Sequence, residues 1–222
     1  MKIKLFFVFA FIFVILVTSS RSQWSRDPQI ANQQWLHTFA NIGEVVFCIS
    51  NYNLYISSDN GDHWKKNITV SQPLGLTTMC TFKDTMYIIS HYERGLFRST
   101  DTAKTWELIS STDPDKNFVS VSDIGIFIGG SGRGGFGSGI FYSTDSSWVR
   151  CTNGIPATAC IYSSLVKEQR LIVGTNFGIY YSDNKCLSWS KANITSSVTC
   201  GVITNNQLFM AGDSGVYVSD DG

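Results

Sequence analysis

The stretch that decides the fold is Gly95-Leu96-Phe97-Arg98-Ser99-Thr100-Asp101-Thr102-Ala103-Lys104-Thr105-Trp106, because the chain repeats it. Leu54-Tyr55-Ile56-Ser57-Ser58-Asp59-Asn60-Gly61-Asp62-His63-Trp64 precedes it, and Gly139-Ile140-Phe141-Tyr142-Ser143-Thr144-Asp145-Ser146-Ser147-Trp148 follows. Gly178-Ile179-Tyr180-Tyr181-Ser182-Asp183-Asn184-Lys185-Cys186-Leu187-Ser188-Trp189 is the fourth copy, and Gly215-Val216-Tyr217-Val218-Ser219-Asp220-Asp221-Gly222 the beginning of a fifth. Counting on Asp59, Asp101, Asp145, Asp183 and Asp220, the copies lie 42, 44, 38 and 37 residues apart. A period near 40 is that of propeller blades or a solenoid.

Working outward, each copy is preceded by two further short apolar runs bounded by turn residues, such as Leu76 to Phe82 and Met86 to Ser90. With the motif strand and the segment after each tryptophan, such as Trp106-Glu107-Leu108-Ile109, every unit offers about four strands and no useful helical period. The expectation is an all-β chain, a β-propeller of about five four-stranded blades with the last one incomplete. Aromatic residues make up 14% of the chain, which suits cross-strand pairing, and only 4 prolines interrupt it.

The motif carries turn chemistry. A short aspartate carboxylate accepts backbone N–H bonds in a tight turn, Gly61 can take positive φ, and a terminal tryptophan can bury a large ring between blades. Asp59, Asp101, Asp145, Asp183 and Asp220 are therefore expected to staple hairpins, and Trp64, Trp106, Trp148 and Trp189 to pack behind them.

The pattern Ser-x-Asp-x-Gly-x-Thr-Trp resembles the BNR or Asp-box repeat of sialidases, xyloglucanases, sortilin-type receptors and photosystem II assembly factors. The resemblance covers nearly the whole chain after the leader. Its departures are Ala103 in place of glycine, a shortened third copy before Trp148, an insertion of Cys186 in the fourth, and a fifth copy that stops at Gly222 before any tryptophan. In that family the motif lies on a hairpin away from the ligand face, so the resemblance implies fold and not activity.

The N-terminus is Met1-Lys2-Ile3-Lys4, an apolar run from Leu5 to Val17, then Thr18-Ser19-Ser20-Arg21-Ser22. That is the layout of a secretory signal peptide over residues 1–20, cleaved near Ser20 or Ser22, with the propeller over 23–222. The run is short of the roughly 18 residues of a spanning helix, so no other membrane span is expected. The expected location is extracellular, or the lumen of the secretory and endolysosomal route. The sequons Asn67-Ile68-Thr69 and Asn193-Ile194-Thr195 make Asn67 and Asn193 candidate glycan acceptors. Six cysteines in an oxidising compartment predict disulfides. Fifteen complete pairings are open, and the loop-like stretch from Cys151 to Cys160 puts that local bridge forward as a candidate.

Lysine plus arginine, 17, equals aspartate plus glutamate, 17, without a long run of one sign, so no footprint for nucleic acid is present. No CxxC pair exists, and His37, His63 and His91 do not sit at ligand spacing from a cysteine, so no metal or cofactor is expected. The literal GxGxxG within the glycine-rich stretch Gly129 to Gly139 runs into the strand Gly139-Ile140-Phe141-Tyr142 and not into a helix, which removes the dinucleotide reading. Glycoside cleavage needs two carboxyls across one bond, and spacing favours no pair. A sialidase would be expected to carry an Arg-Ile-Pro motif, of which Arg26-Asp27-Pro28 is a partial echo. Asp123-Ile124-Gly125-Ile126 is a similar echo of the xyloglucanases. The function expected is a secreted, non-catalytic binding or scaffold module for a protein or carbohydrate ligand. The alternatives are a fragment of a sialidase-like glycoside hydrolase or of a sortilin-like receptor ectodomain.

Overall fold

The computed structural model of the chain describes residues 36–50, 53–67, 75–111, 118–130, 139–143 and 147–220. The leader expected over 1–20, Asp145 and most of the glycine-rich stretch lie outside the described residues.

Among the described residues nineteen antiparallel strands form five sheets, and within each sheet every strand is hydrogen-bonded to the next in sequence. The first sheet holds β1 (Leu36–Ile42), β2 (Val45–Ser50), β3 (Leu54–Ser57) and β4 (Lys65–Lys66). The second holds β5 (Leu76–Phe82), β6 (Thr85–Ser90), β7 (Gly95–Ser99) and β8 (Glu107–Ser111). The third holds β9 (Phe118–Ser122), β10 (Gly125–Gly130), β11 (Gly139–Ser143) and β12 (Trp148–Arg150). The fourth holds β13 (Ile161–Lys167), β14 (Arg170–Thr175), β15 (Gly178–Ser182) and β16 (Ser190–Lys191). The fifth has three described strands, β17 (Val198–Thr204), β18 (Gln207–Gly212) and β19 (Gly215–Ser219). First strands pack on first strands, β1 on β5, β5 on β9, β9 on β13 and β13 on β17, which is the β-propeller arrangement.

The core lies in the seams between sheets, and the second strand of each sheet shows why. In β6, Met86 and Ile88 point into the seam with the first sheet, while Tyr87 and Ile89 point into the seam with the third. In β14, Leu171 and Val173 face back and Ile172 faces forward. A strand covered on both faces reads as an unbroken apolar run instead of an alternation. β1, β5, β13 and β17 share an irregularity of register two residues from their start, and β9 lacks it. Such a bulge increases local twist.

Candidate functional site

The hairpin after the third strand of a sheet is built around a buried serine. Ser57 Oγ donates to Asp59 Oδ1 at 2.8 Å and accepts the Gly61 amide at 2.8 Å. Ser99 Oγ donates to Asp101 Oδ1 at 2.8 Å and accepts the Ala103 amide at 2.9 Å. Asp59 Oδ1 also accepts the His63 amide at 2.9 Å, and Asp101 Oδ1 the Thr105 amide at 2.9 Å. The second oxygens are engaged too, with His63 Nδ1 2.6 Å from Asp59 Oδ2 and Thr105 Oγ1 donating to Asp101 Oδ2 at 2.6 Å. Donors converging on a carboxylate stabilise its charged form. The His63 amide and ring, with Ser57, lower Asp59 from 3.8 to about 2. The Thr105 hydroxyl and amide, with Ser99, do the same to Asp101.

The fourth hairpin corrects the sequence reading. Ser182 Oγ donates to Asn184 Oδ1 at 2.9 Å and accepts the Cys186 amide at 2.9 Å, while Asn184 Oδ1 accepts the Ser188 amide at 3.0 Å. Asn184, not Asp183, therefore occupies the place of Asp59 and Asp101. Cys186 is no insertion: it stands where Gly61 and Ala103 stand. The backbone agrees, since consecutive residues take positive φ at Asn60 and Gly61 (58° and 93°), Thr102 and Ala103 (60° and 65°), and Lys185 and Cys186 (53° and 62°). The register follows from counting two residues beyond the serine, which also moves the fifth copy from Asp220 to Asp221, outside the described residues. Asp183 instead meets Arg170 Nε at 2.6 Å, and Asp220 Oδ1 accepts from Gln207 Nε2 at 2.8 Å. Both acids line a polar cleft of about 300 Å3 together with Lys167, whose amine donates to the Asp220 carbonyl, and Arg170.

The hairpins also fasten neighbouring sheets. Cys151 is disulfide-bonded to Cys186, 35 residues on, and Cys160 is free. The local Cys151–Cys160 bridge expected from the sequence is thereby overturned: Cys151 ends the third sheet and its partner sits on the hairpin of the fourth. Trp189 is buried in the same seam, its ring N–H donating to the Cys151 carbonyl at 3.0 Å. One seam earlier, Trp148 Nε1 donates to Ser110 Oγ at 2.6 Å. At the first seam Asn67 Nδ2 donates to the Ala103 carbonyl at 2.8 Å, and Trp106 Nε1 is buried without a partner among the described residues. Trp64 stands edge-on to Phe39, with ring centroids 6.3 Å apart. Of the two sequon asparagines, Asn193 is exposed and Asn67 is half-buried. Cys48, Cys80 and Cys200 are free with Cys160, and burial pushes the Cys48 thiol up to about 11 and Cys80 to about 12.

Between the fourth and fifth sheets the seam opens into an apolar cleft of about 260 Å3 whose walls include Ile179, Tyr181, Ala192, Ile194, Met210 and Tyr217. Next to it the fifth sheet exposes Val216 and Val218, 67% and 57% accessible. Among the described residues no three His, Cys, Asp or Glu side chains are grouped to hold a metal ion, and no helix is long and apolar enough to cross a membrane.

No family model matches the chain, and no curated protein matches it. Solved structures do. YCF48 bound to D1 peptide aligns with a TM-score of 0.59 at 15% identity, covering 84% of this chain and 64% of that one. The extracellular domain of the one-component system BT4673 from B. thetaiotaomicron aligns with a TM-score of 0.62 at 16% identity, covering 87% and 28%. The GH74 enzyme of Niastella koreensis aligns with a TM-score of 0.55 at 15% identity, covering 83% and 30%. The chain spans less than two thirds of the length of each. At these identities the likeness is one of fold, and that fold is the β-propeller.

Proposed function

We propose that the protein is a secreted, non-catalytic β-propeller of the Asp-box type that serves as a binding or scaffold module for a protein partner. The observation that carries this reading is the commitment of its hairpin carboxylates. Asp59 and Asp101 each gather three or more donors from their own turn, which keeps them ionised and occupied far below neutral pH. A general acid needs the opposite, a carboxyl whose proton affinity is raised toward the working pH. Asp183 and Asp220 share a cleft, yet each faces a donor, Arg170 and Gln207. The neighbouring propeller described as bound to D1 peptide supports a protein ligand by analogy of fold alone. In the secretory route the exposed Asn193 is the better placed glycan acceptor, because the Asn67 amide already donates to Ala103.

The test pairs two assays on protein purified from a secreting eukaryotic host. A panel of fluorogenic glycosides is expected to show no turnover, and a displayed peptide library is expected to yield ligands that bind the native and not the heat-unfolded protein. Turnover that disappears in Asp183→Asn or Asp220→Asn would overturn the module reading in favour of a hydrolase.

A further inference from the structure

Where the chain leaves a fourth strand, it meets the hairpin of the next sheet at one repeated pair of positions. Asn67, Cys151 and Ala192 occupy the first position: their amides donate to the carbonyls of Leu54, Ile140 and Ile179 at 2.7, 2.8 and 2.9 Å. Each of those carbonyls lies three residues before the serine that ends its strand, Ser57, Ser143 or Ser182. Ala103 and Cys186 occupy the second position, since theirs are the amides accepted by Ser99 and Ser182. Numbering each seam by the sheet before it, Cys151 and Cys186 close the third with a disulfide. In the first, Asn67 Nδ2 donates to the Ala103 carbonyl at 2.8 Å. The two ties join the same two positions of the repeat, one covalently and one through a hydrogen bond.

Asn67 also heads the sequon Asn67-Ile68-Thr69, and the nitrogen that donates to Ala103 is the atom that would carry a sugar. Ala103 is 1% exposed and belongs to the apolar cluster against which Trp106 packs. A sugar ring bonded to Nδ2 would need the space that this hairpin backbone fills, so seam and glycan compete for one atom. Asn193 meets no such conflict, because it stands one residue past Ala192 and is exposed. Timing gives the competition a direction. Glycan transfer takes its asparagine from an extended chain, which Asn67 is only until the first seam closes. Its acceptor residue is synthesised 36 residues later. At 5–20 residues per second that delay is roughly 2–7 s.

We propose that Asn67 is a folding-gated modification site: closure of the first seam and a glycan on Asn67 exclude each other. Chains that close promptly leave the sequon empty, and chains that close late are marked with a sugar. In the transfer, the Asn67 amide nitrogen bonds to the anomeric carbon of a lipid-diphosphate-linked oligosaccharide. The bond from that carbon to the diphosphate breaks, the lipid diphosphate leaves with the electron pair, and the amide proton passes to solvent. A marked chain has lost the tie of its first seam and keeps the disulfide of its third. The site rests on the secretory reading for its sugar donor and on the repeat geometry for its latch.

The test expresses the full chain in a secreting eukaryotic host and maps glycopeptides at Asn67 and Asn193. Secreted protein is expected to carry glycan on Asn193 and almost none on Asn67. Trp106→Ala weakens the first seam, and in secreted and retained chains together it is expected to raise Asn67 occupancy severalfold while Asn193 stays as it was. A second arm uses protein made without glycan in a bacterial periplasm. There Asn67→Ala is expected to lower the melting temperature by about 2–4 °C, and Asn193→Ala to leave it in place. The pair Asn67→Cys with Ala103→Cys is expected to form a disulfide, as Cys151 and Cys186 do at the same positions. Glycan on Asn67 in secreted protein of normal melting temperature overturns the proposal. So does an empty Asn67 in the Trp106→Ala chain while Asn193 is filled. Glycan on neither asparagine is the failure of the secretory reading; the melting arm then decides the latch, and an Asn67→Ala protein as stable as wild type overturns it.

Discussion

The third and fourth seams are built from the same parts and finished differently. In the third, Trp189 is buried, its ring nitrogen is bonded to the Cys151 carbonyl, and Cys151 is joined to Cys186. In the fourth, the Ala192 amide bonds to the Ile179 carbonyl as the Cys151 amide bonds to the Ile140 carbonyl, no indole enters among the described residues, and a cleft remains. The third seam is closed by the hairpin and fourth strand of the fourth sheet, whereas the fifth sheet has three described strands beside the fourth seam. Stability is therefore set locally, seam by seam.

The harshest way to break that comparison is to make the third seam resemble the fourth. Trp189→Ala removes a buried ring and a hydrogen bond and is expected to cost about 3–5 kcal/mol, measured by urea unfolding. The double change Cys151→Ala with Cys186→Ala opens a loop of 35 residues and is expected to cost about 2–4 kcal/mol; equal midpoints for wild type and variant would show that the bond does not constrain the unfolded chain. A milder substitution compares two sealed seams. Trp189→Phe strands the Cys151 carbonyl and is expected to cost about 1–2 kcal/mol more than Trp106→Phe, whose ring nitrogen has no partner to lose among the described residues.

The smallest effect is one of acid. Asp59 and Asp101 have folded pKa values near 2, below their ordinary 3.8, so their contribution is complete above about pH 4 and is lost as pH falls toward 2. Asn184 has nothing to titrate. The amide resonances of His63 and Thr105 are expected to shift with a midpoint near pH 2 while that of Ser188 stays still; a shared midpoint would mean that the hairpins open together.

Repeat, strand count and fold class were legible because the motif recurs at nearly fixed period and the strands carry unbroken apolar runs such as Tyr87-Ile88-Ile89. The hairpin register was legible only in part. Counting on aspartate puts Asp183 in a position that belongs to Asn184, because an amide oxygen accepts as a carboxylate oxygen does. The buried serine two residues earlier is the invariant to count from, since Ser57, Ser99 and Ser182 each hold the same two bonds. The Cys151–Cys186 bond was hidden by its length in sequence: a bridge between adjacent sheets spans nearly a whole repeat, and only the superposition of repeats brings its ends together. The cleft of the fourth seam carries no motif of its own, since its walls are ordinary apolar positions of β15, β18 and β19 such as Tyr181, Met210 and Tyr217.

The fastening of each sheet to the one before it has a mechanical consequence. Every tie described crosses one seam, and none skips a sheet, so a chain pulled from its C-terminal end would come apart as a zipper does, one sheet at a time. Among the described residues the fifth sheet is held to the fourth by neither a tryptophan nor a covalent tie, so that seam would part at a lower force than the disulfide-bonded one. The tear would then run into the disulfide between the third and fourth sheets, which keeps the intervening residues from extending until it is reduced. Force–extension traces of the oxidised protein should thus be shorter by that loop than traces taken in reductant, with the difference falling where the seam between the third and fourth sheets parts.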